Sequence, residues 1–334
     1  MTRYLYTSVT RISELPRQSF DIEPTSRDTW ATGDYVVGEV LDASGHHTVE
    51  LPNGRMMEAM EGDLVVGAWG ARAATLEAVG DWQAIEGDTF DALTPAGLFG
   101  KLTSRSPFLS QLMQLKYLGH VHVDGVRQTM DSVRSPVQSA TLTAPIVLIT
   151  GTSMSSGKTM SGRLIVRLLS RMGLKVVGVK LTGAARFRDV LSFEDAGAAA
   201  VFDFVDVGLP STVGDPDDFK VRVEALLQRV AALQPDVVVA EAGASPLEPY
   251  NGKTAMDVLG DRVRFNLLCA SDPYAVVGVA SSFQRRPDLI AGGAANTTAG
   301  IELVRKLADL SAMNLISRDS HEPLREMLVE KLGL

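Results

Sequence analysis

The pattern of apolar and polar residues changes near residue 140, and this change divides the chain into two parts. In the first part, short apolar runs alternate with turn residues such as Pro52-Asn53-Gly54. Short strands at such a spacing are typical of a small barrel or sandwich. The pattern predicts strands at 35–41, 47–51, 63–69, 73–79 and 117–123, and a short helix over Ser110–Leu115.

The second part alternates strand and helix patterns. Ile146–Ile149 is a continuous apolar run, as expected of a buried parallel strand, and 158–172 carries its apolar residues on one helical face. The same patterns predict strands at 175–179, 201–205, 237–240, 263–268 and 289–291, and helices at 217–233, 298–310 and 323–332. This alternation predicts an α/β fold, a mostly parallel sheet with helices on both faces, preceded by a smaller β-rich domain.

Domain bounds follow from these patterns and from chain length. The chain has 334 residues, enough for two domains, and 45% of them are hydrophobic, so a large core can be buried. The polar, turn-prone stretch after Ser135 reads as a linker. We therefore expect a β-rich domain at 1–134, a linker at 135–143 and the α/β domain at 144–334.

Charge and composition exclude several classes of function. The net charge is −8 and the pI about 5.2, which disfavours a nucleic-acid partner because an acidic chain repels phosphate backbones. The single cysteine, Cys269, leaves no intramolecular disulfide, and the histidines lack metal-ligand spacing. No apolar run reaches roughly 18 residues, so we expect no membrane span, and with no visible targeting segment we expect a cytoplasmic protein.

The segment ITGTSMSSGKTM lies where the first strand of the second part ends and its first helix begins. In this context Gly151 and Gly157 allow a tight loop whose main-chain N–H groups hold phosphates, aided by the helix dipole. Lys158 would lie beside the β and γ phosphates, and the hydroxyl of Thr159 would bind Mg²⁺. We expect this loop to bind ATP with Mg²⁺ through Gly151, Thr152, Ser153, Ser155, Ser156, Gly157, Lys158, Thr159 and Met160.

The loop departs from the usual pattern at one position. The pattern G-x-x-x-x-G-K-[ST] requires a glycine five residues before Gly157, where this chain has Thr152. The glycine, Gly151, stands one residue earlier.

Two further strand ends carry candidate residues, since the carboxyl ends of parallel strands meet at one edge of a sheet. Lys180 ends the second strand and is a candidate catalytic cation, or else a solvated lysine. Glu241 precedes Ala242, Gly243 and Ala244 and is a candidate Mg²⁺ ligand, or else a solvated acid.

Two more residues are candidates by position. Asp189 is a possible further metal ligand, although charged loop residues are more often only solvated. Asn296 precedes a predicted helix, which it would either cap, or its amide would contact the nucleotide base.

Together the segments Gly151–Thr159, Lys180 and Glu241–Ala244 resemble dethiobiotin synthetase, which has a G-T-x4-G-K-T loop, a K-P strand end and an E-G-x-G-G segment. Cobyrinic acid a,c-diamide synthase and other members of the same P-loop superclass look similar. The resemblance covers about residues 144–317. It implies that Lys158 binds phosphates, that Thr159 and Glu241 hold Mg²⁺, that Lys180 lies at the reacting group, and that the protein is a homodimer.

Three functions are compatible with these motifs. The main hypothesis is an ATP-dependent ligase or small-molecule kinase, in which Lys158 and Lys180 assist phosphoryl transfer to a carboxylate or other oxyanion of a small-molecule substrate. The alternative is an ATPase that acts as a switch or maturation factor, with the β-rich domain docking a protein partner. A binding module with a purely structural nucleotide is the third. The absence of an N-K-x-D motif favours ATP over GTP.

Overall fold

The computed structural model describes residues 3–43, 45, 47–136, 139–243, 245–283 and 285–334. Two residues of the predicted linker, Val137 and Gln138, lie outside these residues. Ala244, of the segment Glu241–Ala244, lies outside them as well. The described chain forms two compact units. The first contains the chain up to Pro136 together with Ala184–Arg188 and Phe204–Val213, and the second contains the remainder.

The first unit is built from strands. They are β1 Tyr4–Tyr6, β2 Asp21–Glu23, β3 Tyr35–Asp42, β4 Thr48–Glu50, β5 Met56–Glu58, β6 Leu64–Trp69, β7 Ala71–Ala73, β8 Ala78–Asp81, β9 Thr89–Ala92, β10 Leu98–Arg105, β11 Gln114–Val123 and β12 Val126–Arg127, followed by the short helix α1 Met130–Val133. The main sheet has the order β1-β6-β3-β11-β9-β10-β8-β7. An additional pairing of β6 with β10 closes five of these strands into a ring, so the unit contains a small barrel, one of the two architectures that strand spacing predicted.

Both faces of β6 and of the first half of β3 are buried, which explains their continuous apolar runs. Along β3, Val36 and Val40 belong to one core cluster, with Trp69, whereas Tyr35 and Val37 belong to a second. This separation follows from the period of two in a strand. The aromatic rings of the first cluster meet closely, with ring centroids of Trp69 and Phe90 4.8 Å apart.

The prediction of a helix over residues 110–115 is wrong. Gln114 begins β11, which pairs antiparallel with β3, and Leu115 is buried in the barrel core. A short apolar run does not distinguish helix from strand, and strand pairing determines the outcome here. The single strand predicted at 73–79 is divided into β7 and β8, which form an antiparallel pair.

The second unit is an α/β sandwich. Its strands are β13 Ile146–Gly151, β14 Val176–Thr182, β15 Ala200–Asp203, β16 Val237–Ala242, β17 Val263–Cys269 and β18 Leu289–Ala291. Its helices are α2 Lys158–Arg171, α3 Phe187–Glu194, which begins with two residues of the first unit, α4 Pro216–Ala232, α5 Gly252–Leu259, α6 Pro273–Ser282, α7 Thr298–Ala308 and α8 His321–Leu332. The sheet has the order β15-β14-β16-β13-β17-β18, and every pairing in it is parallel.

Helices cover both faces of this sheet. Leu267 of β17 packs in a cluster with residues of α2 and α8, and its neighbour Leu268 packs in another with residues of α6 and α7. The predicted α/β fold with a β-rich part before it is therefore confirmed. No helix among the described residues combines the length and the apolar character that crossing a bilayer requires.

In the described part of the second unit, three helices were not predicted: α3, α5 and α6. The start of α6 had a readable signal, because Asp272 precedes Pro273 and its carboxylate accepts from the N–H groups of Tyr274 and Ala275. The other two have eight residues each, too few for a clear helical period.

The phenyl ring of Phe193 holds α3, α2 and β14 together. A Cβ atom at Gly162 would lie 2.5 Å from this ring, and one at Gly178 would lie 2.8 Å from it. The two glycines therefore make the space that the buried ring fills. This packing sets the position of α2 on the sheet.

We expect Phe193→Ala to lower the free energy of unfolding of the second unit by about 3–5 kcal/mol, because it leaves a cavity in the core. Chemical denaturation followed by circular dichroism measures this change. Val221→Ala is the control, because Val221 is 63% exposed on α4. Its effect should stay within about 0.5 kcal/mol. Equal effects of the two variants would contradict this account of the core.

Candidate functional site

The loop of residues 152–157 joins β13 to α2 at the carboxyl edge of the parallel sheet. Gly157 ends it with φ +101°, a left-handed conformation that favours glycine, and caps α2. The first N–H groups of α2 have no acceptor within the helix and carry the positive end of its dipole. The end of the loop is therefore suited to an anion.

The loop closes around the ammonium group of Lys158. Lys158 Nζ donates to the carbonyl of Ser153 at 2.6 Å, and Ser156 Oγ donates to the same carbonyl at 3.0 Å. A Cβ atom at Gly151 would lie 2.4 Å from Ser156 Oγ and 2.8 Å from Lys158 Nζ. Only glycine at position 151 thus leaves room for this arrangement.

Because Lys158 is buried, a neighbouring anion would stabilise its charged form. Its side chain is almost fully buried, and burial lowers its pKa while the nearby Glu241 opposes the shift. A buried cation is costly unless it is paired and hydrogen-bonded. A polyphosphate held by the loop would supply the compensating charge.

Thr152 explains the departure from the usual loop pattern. Its N–H donates to the carbonyl of Cys269 at 3.0 Å, and its Oγ1 accepts from the N–H of Ser271 at 3.1 Å. The threonine thus ties the start of the loop to the end of β17.

Glu241 lies beside the loop because β16 neighbours β13, with Glu241 in register with Ile149. Its Oε2 accepts from Thr159 Oγ1 at 3.2 Å. Burial, and then the charge of Asp189, raise the pKa of Glu241, and Lys158 and Lys180 oppose the shift.

A hydroxyl and a carboxylate in contact are ligands that Mg²⁺ prefers, and Mg²⁺ usually completes its shell with phosphate oxygens and water. Within the described part of the chain, no group of three or more His, Cys, Asp or Glu side chains could hold a metal ion. Thr159 and Glu241 could supply two ligands to a Mg²⁺ ion whose other ligands are phosphate oxygens and water.

Lys180 and Asp189 form an ion pair. Lys180 Nζ lies 2.6 Å from Asp189 Oδ2, and the lysine is in register with Glu241 on one side and Asp203 on the other. Burial alone would lower the pKa of Lys180, but Asp189 and then Glu241 outweigh it and raise the pKa. Asp189 is therefore paired with Lys180, and the role of Asp189 as a metal ligand stays a prediction.

The remaining predicted site residues lie at the rim. Ser155 and Met160 are exposed, on the loop and on the first turn of α2. Asn296 is also exposed, and its carbonyl accepts from Asn314 Nδ2 at 3.1 Å. It does not cap α7: Thr297 does, through its Oγ1 and the N–H of Gly300 at 3.1 Å. A contact of Asn296 with the nucleotide base stays a prediction.

One residue of the site was missed. Gly292 follows β18 with φ +82°, and a Cβ atom there would lie 2.3 Å from the carbonyl of Ser156. It lets the chain after β18 pack directly against the phosphate loop. The paired glycines Gly292 and Gly293 after a strand were the available signal.

A strand, a lysine-bearing loop and a helix at the edge of a parallel sheet, with Thr159 and Glu241 in contact, define a P-loop nucleoside triphosphate-binding fold. Neither a protein-family model nor a curated protein matches the chain.

Solved structures show similar folds. They include chloroplast FtsY from Physcomitrella patens (13% identity, 55% of this chain and 62% of that chain, TM-score 0.38). They also include the hydrogenase maturation factor HypB from Archaeoglobus fulgidus (17%, 57% and 90%, TM-score 0.39). A third is signal recognition particle 54 kDa protein from Aeropyrum pernix K1 in complex with GDP (17%, 57% and 50%, TM-score 0.36). The chain thus spans less than two thirds of the length of the first of these structures.

These comparisons correct the main functional hypothesis. The prediction of an ATP-dependent ligase or small-molecule kinase is wrong, because the similar structures include signal recognition particle proteins and a hydrogenase maturation factor. They support the P-loop fold, and they do not support the more specific resemblance to dethiobiotin synthetase.

We expect Gly151→Ala to weaken nucleotide binding at least tenfold, a loss of about 1.4 kcal/mol, because its methyl group would displace Ser156 or Lys158. Titration with a fluorescent nucleotide analogue measures the dissociation constant. Gly278→Ala is the matched control, since a Cβ atom on this α6 glycine meets nothing within 4 Å. Unchanged affinity in a folded Gly151→Ala protein would show that the loop closes differently.

Proposed function

We propose that this chain is a magnesium-dependent nucleoside triphosphatase that acts as a switch or maturation factor for a protein partner. The observation that carries the proposal is the contact of Thr159 with Glu241 beside the buried Lys158. These are the groups that a magnesium–polyphosphate complex needs. Lys158 and Thr159 begin α2, which follows β13, and Glu241 lies on β16, the neighbour of β13.

Each of these groups has a defined task in the proposal. Phosphoryl transfer depends on positioning and on neutralising the charge of the phosphates. Loop N–H groups and the ammonium of Lys158 would hold the β and γ phosphates. Thr159 and Glu241 would hold Mg²⁺, whose positive charge would offset the negative charge of those phosphates.

The Lys180–Asp189 pair favours a switch over transfer to an acceptor substrate. Lys180 is buried and already engaged by a carboxylate at 2.6 Å, so it is a poor site for the carboxylate of a second substrate. Mg²⁺ and a γ phosphate at Glu241 would change the charge next to this pair. Because Asp189 lies in the first turn of α3, a change in its pairing with Lys180 would alter the position of that helix.

Two finer features remain part of the proposal. The sequence favours ATP, whereas one similar structure contains GDP, so both nucleotides must be tested. The homodimer and the partner-docking role of the β-rich part are expectations carried over from the sequence.

Phosphate release from Mg·ATP and Mg·GTP distinguishes a switch from an enzyme with a small acceptor. We expect slow release that is indifferent to panels of small carboxylates and amines, because the proposed acceptor is water. Release that depends on one such metabolite would refute the switch.

We expect Lys158→Ala to weaken binding of the triphosphate by about 1.5–3 kcal/mol, roughly ten- to a hundredfold, because a charged hydrogen-bond donor to phosphate is lost. Isothermal titration calorimetry with Mg·ATP and Mg·GTP measures the affinity. Lys253→Ala is the control, because Lys253 is 73% exposed and pairs only with Asp257 on its own helix in the described contacts. Full affinity in Lys158→Ala would remove the basis of the assignment.

A further inference from the structure

The barrel of the first unit contains a buried histidine that the nucleotide site does not use. His120, on β11, is fully buried. Its Nδ1 lies 2.6 Å from the hydroxyl of Tyr117 and 2.9 Å from Thr25 Oγ1. Its Nε2 lies 3.2 Å from Asp34 Oδ2.

The hydroxyl groups at Nδ1 suit a neutral imidazole, because each of them can donate to a ring nitrogen that carries no proton. The hydroxyl of Tyr117 accepts from the N–H of Thr25 at 3.2 Å, so its own proton is free to point at His120 Nδ1. When Nδ1 accepts that proton, a neutral imidazole carries its own proton on Nε2, which lies 3.2 Å from Asp34 Oδ2 without forming a hydrogen bond. A second proton on the ring would turn the Nδ1 acceptor into a donor.

The charged groups around His120 make that second proton unfavourable. Asp34 already accepts from the N–H of Ala31 at 2.8 Å and from Arg127 Nη1 at 3.4 Å. Two residues further along β11, His122 lies 3.8 Å from Glu23, on the paired strand β2. A protonated His120 would therefore share the carboxylate of Asp34 with Arg127, while Glu23, its register partner on β2, lies beside His122.

The same contacts hold the chain between Thr25 and Asp34 against the barrel. Trp30 Nε1 donates to the carbonyl of Thr25 at 3.2 Å. The indole of Trp30 stacks on Trp69, with ring centroids 5.0 Å apart, and lies 4.7 Å from the ring of Tyr117. Thr25 and Trp30 thus depend on the hydroxyl network that ends at His120.

We propose that His120 is an acid-sensitive latch, which in its neutral form holds residues 25–34 over the aromatic core and on protonation releases them. The latch belongs to the first unit alone and does not depend on the proposed nucleotide chemistry.

The direction of the pH effect follows from burial. Burial lowers the pKa of His120 below its usual value, and Asp34 opposes the shift only in part. The released segment therefore binds the proton more readily than the latched one. The latch is at full strength above the ordinary histidine value of about 6.5 and weakens as the pH falls below it.

Hydrogen exchange of residues 25–34, read by mass spectrometry and corrected for intrinsic rates, tests this proposal. Between pH 7.5 and 5.5 we expect protection to fall, by at most about tenfold, the limit that one titrating group imposes one pH unit below its unfolded value. His120→Gln should remove this pH dependence. His47→Gln, at a half-exposed histidine, should retain it.

Protection that does not change with pH, or an equal decline in His120→Gln, would overturn the latch. If His120→Gln does not fold, an NMR titration of the wild-type imidazole gives the answer. Titration of His120 clearly below about 6.5 supports the latch, and titration at or above that value overturns it.

Discussion

The closure of the phosphate loop around the ammonium group of Lys158 is the interaction on which the candidate site depends. It requires a glycine at position 151, where a side chain would collide with Ser156 and Lys158, and a left-handed glycine at 157. Thr152, which accepts a hydrogen bond from the N–H of Ser271 after β17, ties the loop to the edge of the sheet. The rest of the site follows from the sheet, because a parallel register brings Glu241 and Lys180 to the same edge.

The α/β part was largely predictable because buried parallel strands are continuous apolar runs and α2 has a clear helical period. The barrel was less so. Leu115 was assigned to a helix, since its short apolar segment becomes a strand only through pairing with β3. The phosphate loop was predictable as a local motif. The pairing of Lys180 with Asp189, and the packing of Gly292 on the loop, depend on tertiary contacts that no local pattern contains.

The wrong prediction of a ligase or kinase shows what the order of motifs along a chain can predict and what it cannot. Glycine, lysine and threonine are the residues that a phosphate loop requires, and the structure places them in a closed loop before α2. The acceptor is determined elsewhere, and there the chain departs from dethiobiotin synthetase: Leu181 replaces a proline, Ala242 a glycine, and Ser153 an acid. Lys180, which that resemblance placed at the reacting group, is engaged by Asp189. The proposed switch rests in part on this ion pair, because a lysine already paired with a carboxylate is a poor site for the carboxylate of a second substrate.

Amide NMR of the ¹⁵N-labelled protein, titrated with Mg·ATP and with Mg·GTP, tests the central claim most directly. If the loop holds a polyphosphate, the N–H signals between Gly151 and Thr159 shift strongly with at least one nucleotide and become protected from exchange. Signals of this loop that stay unchanged at saturating concentrations of both nucleotides would contradict the account.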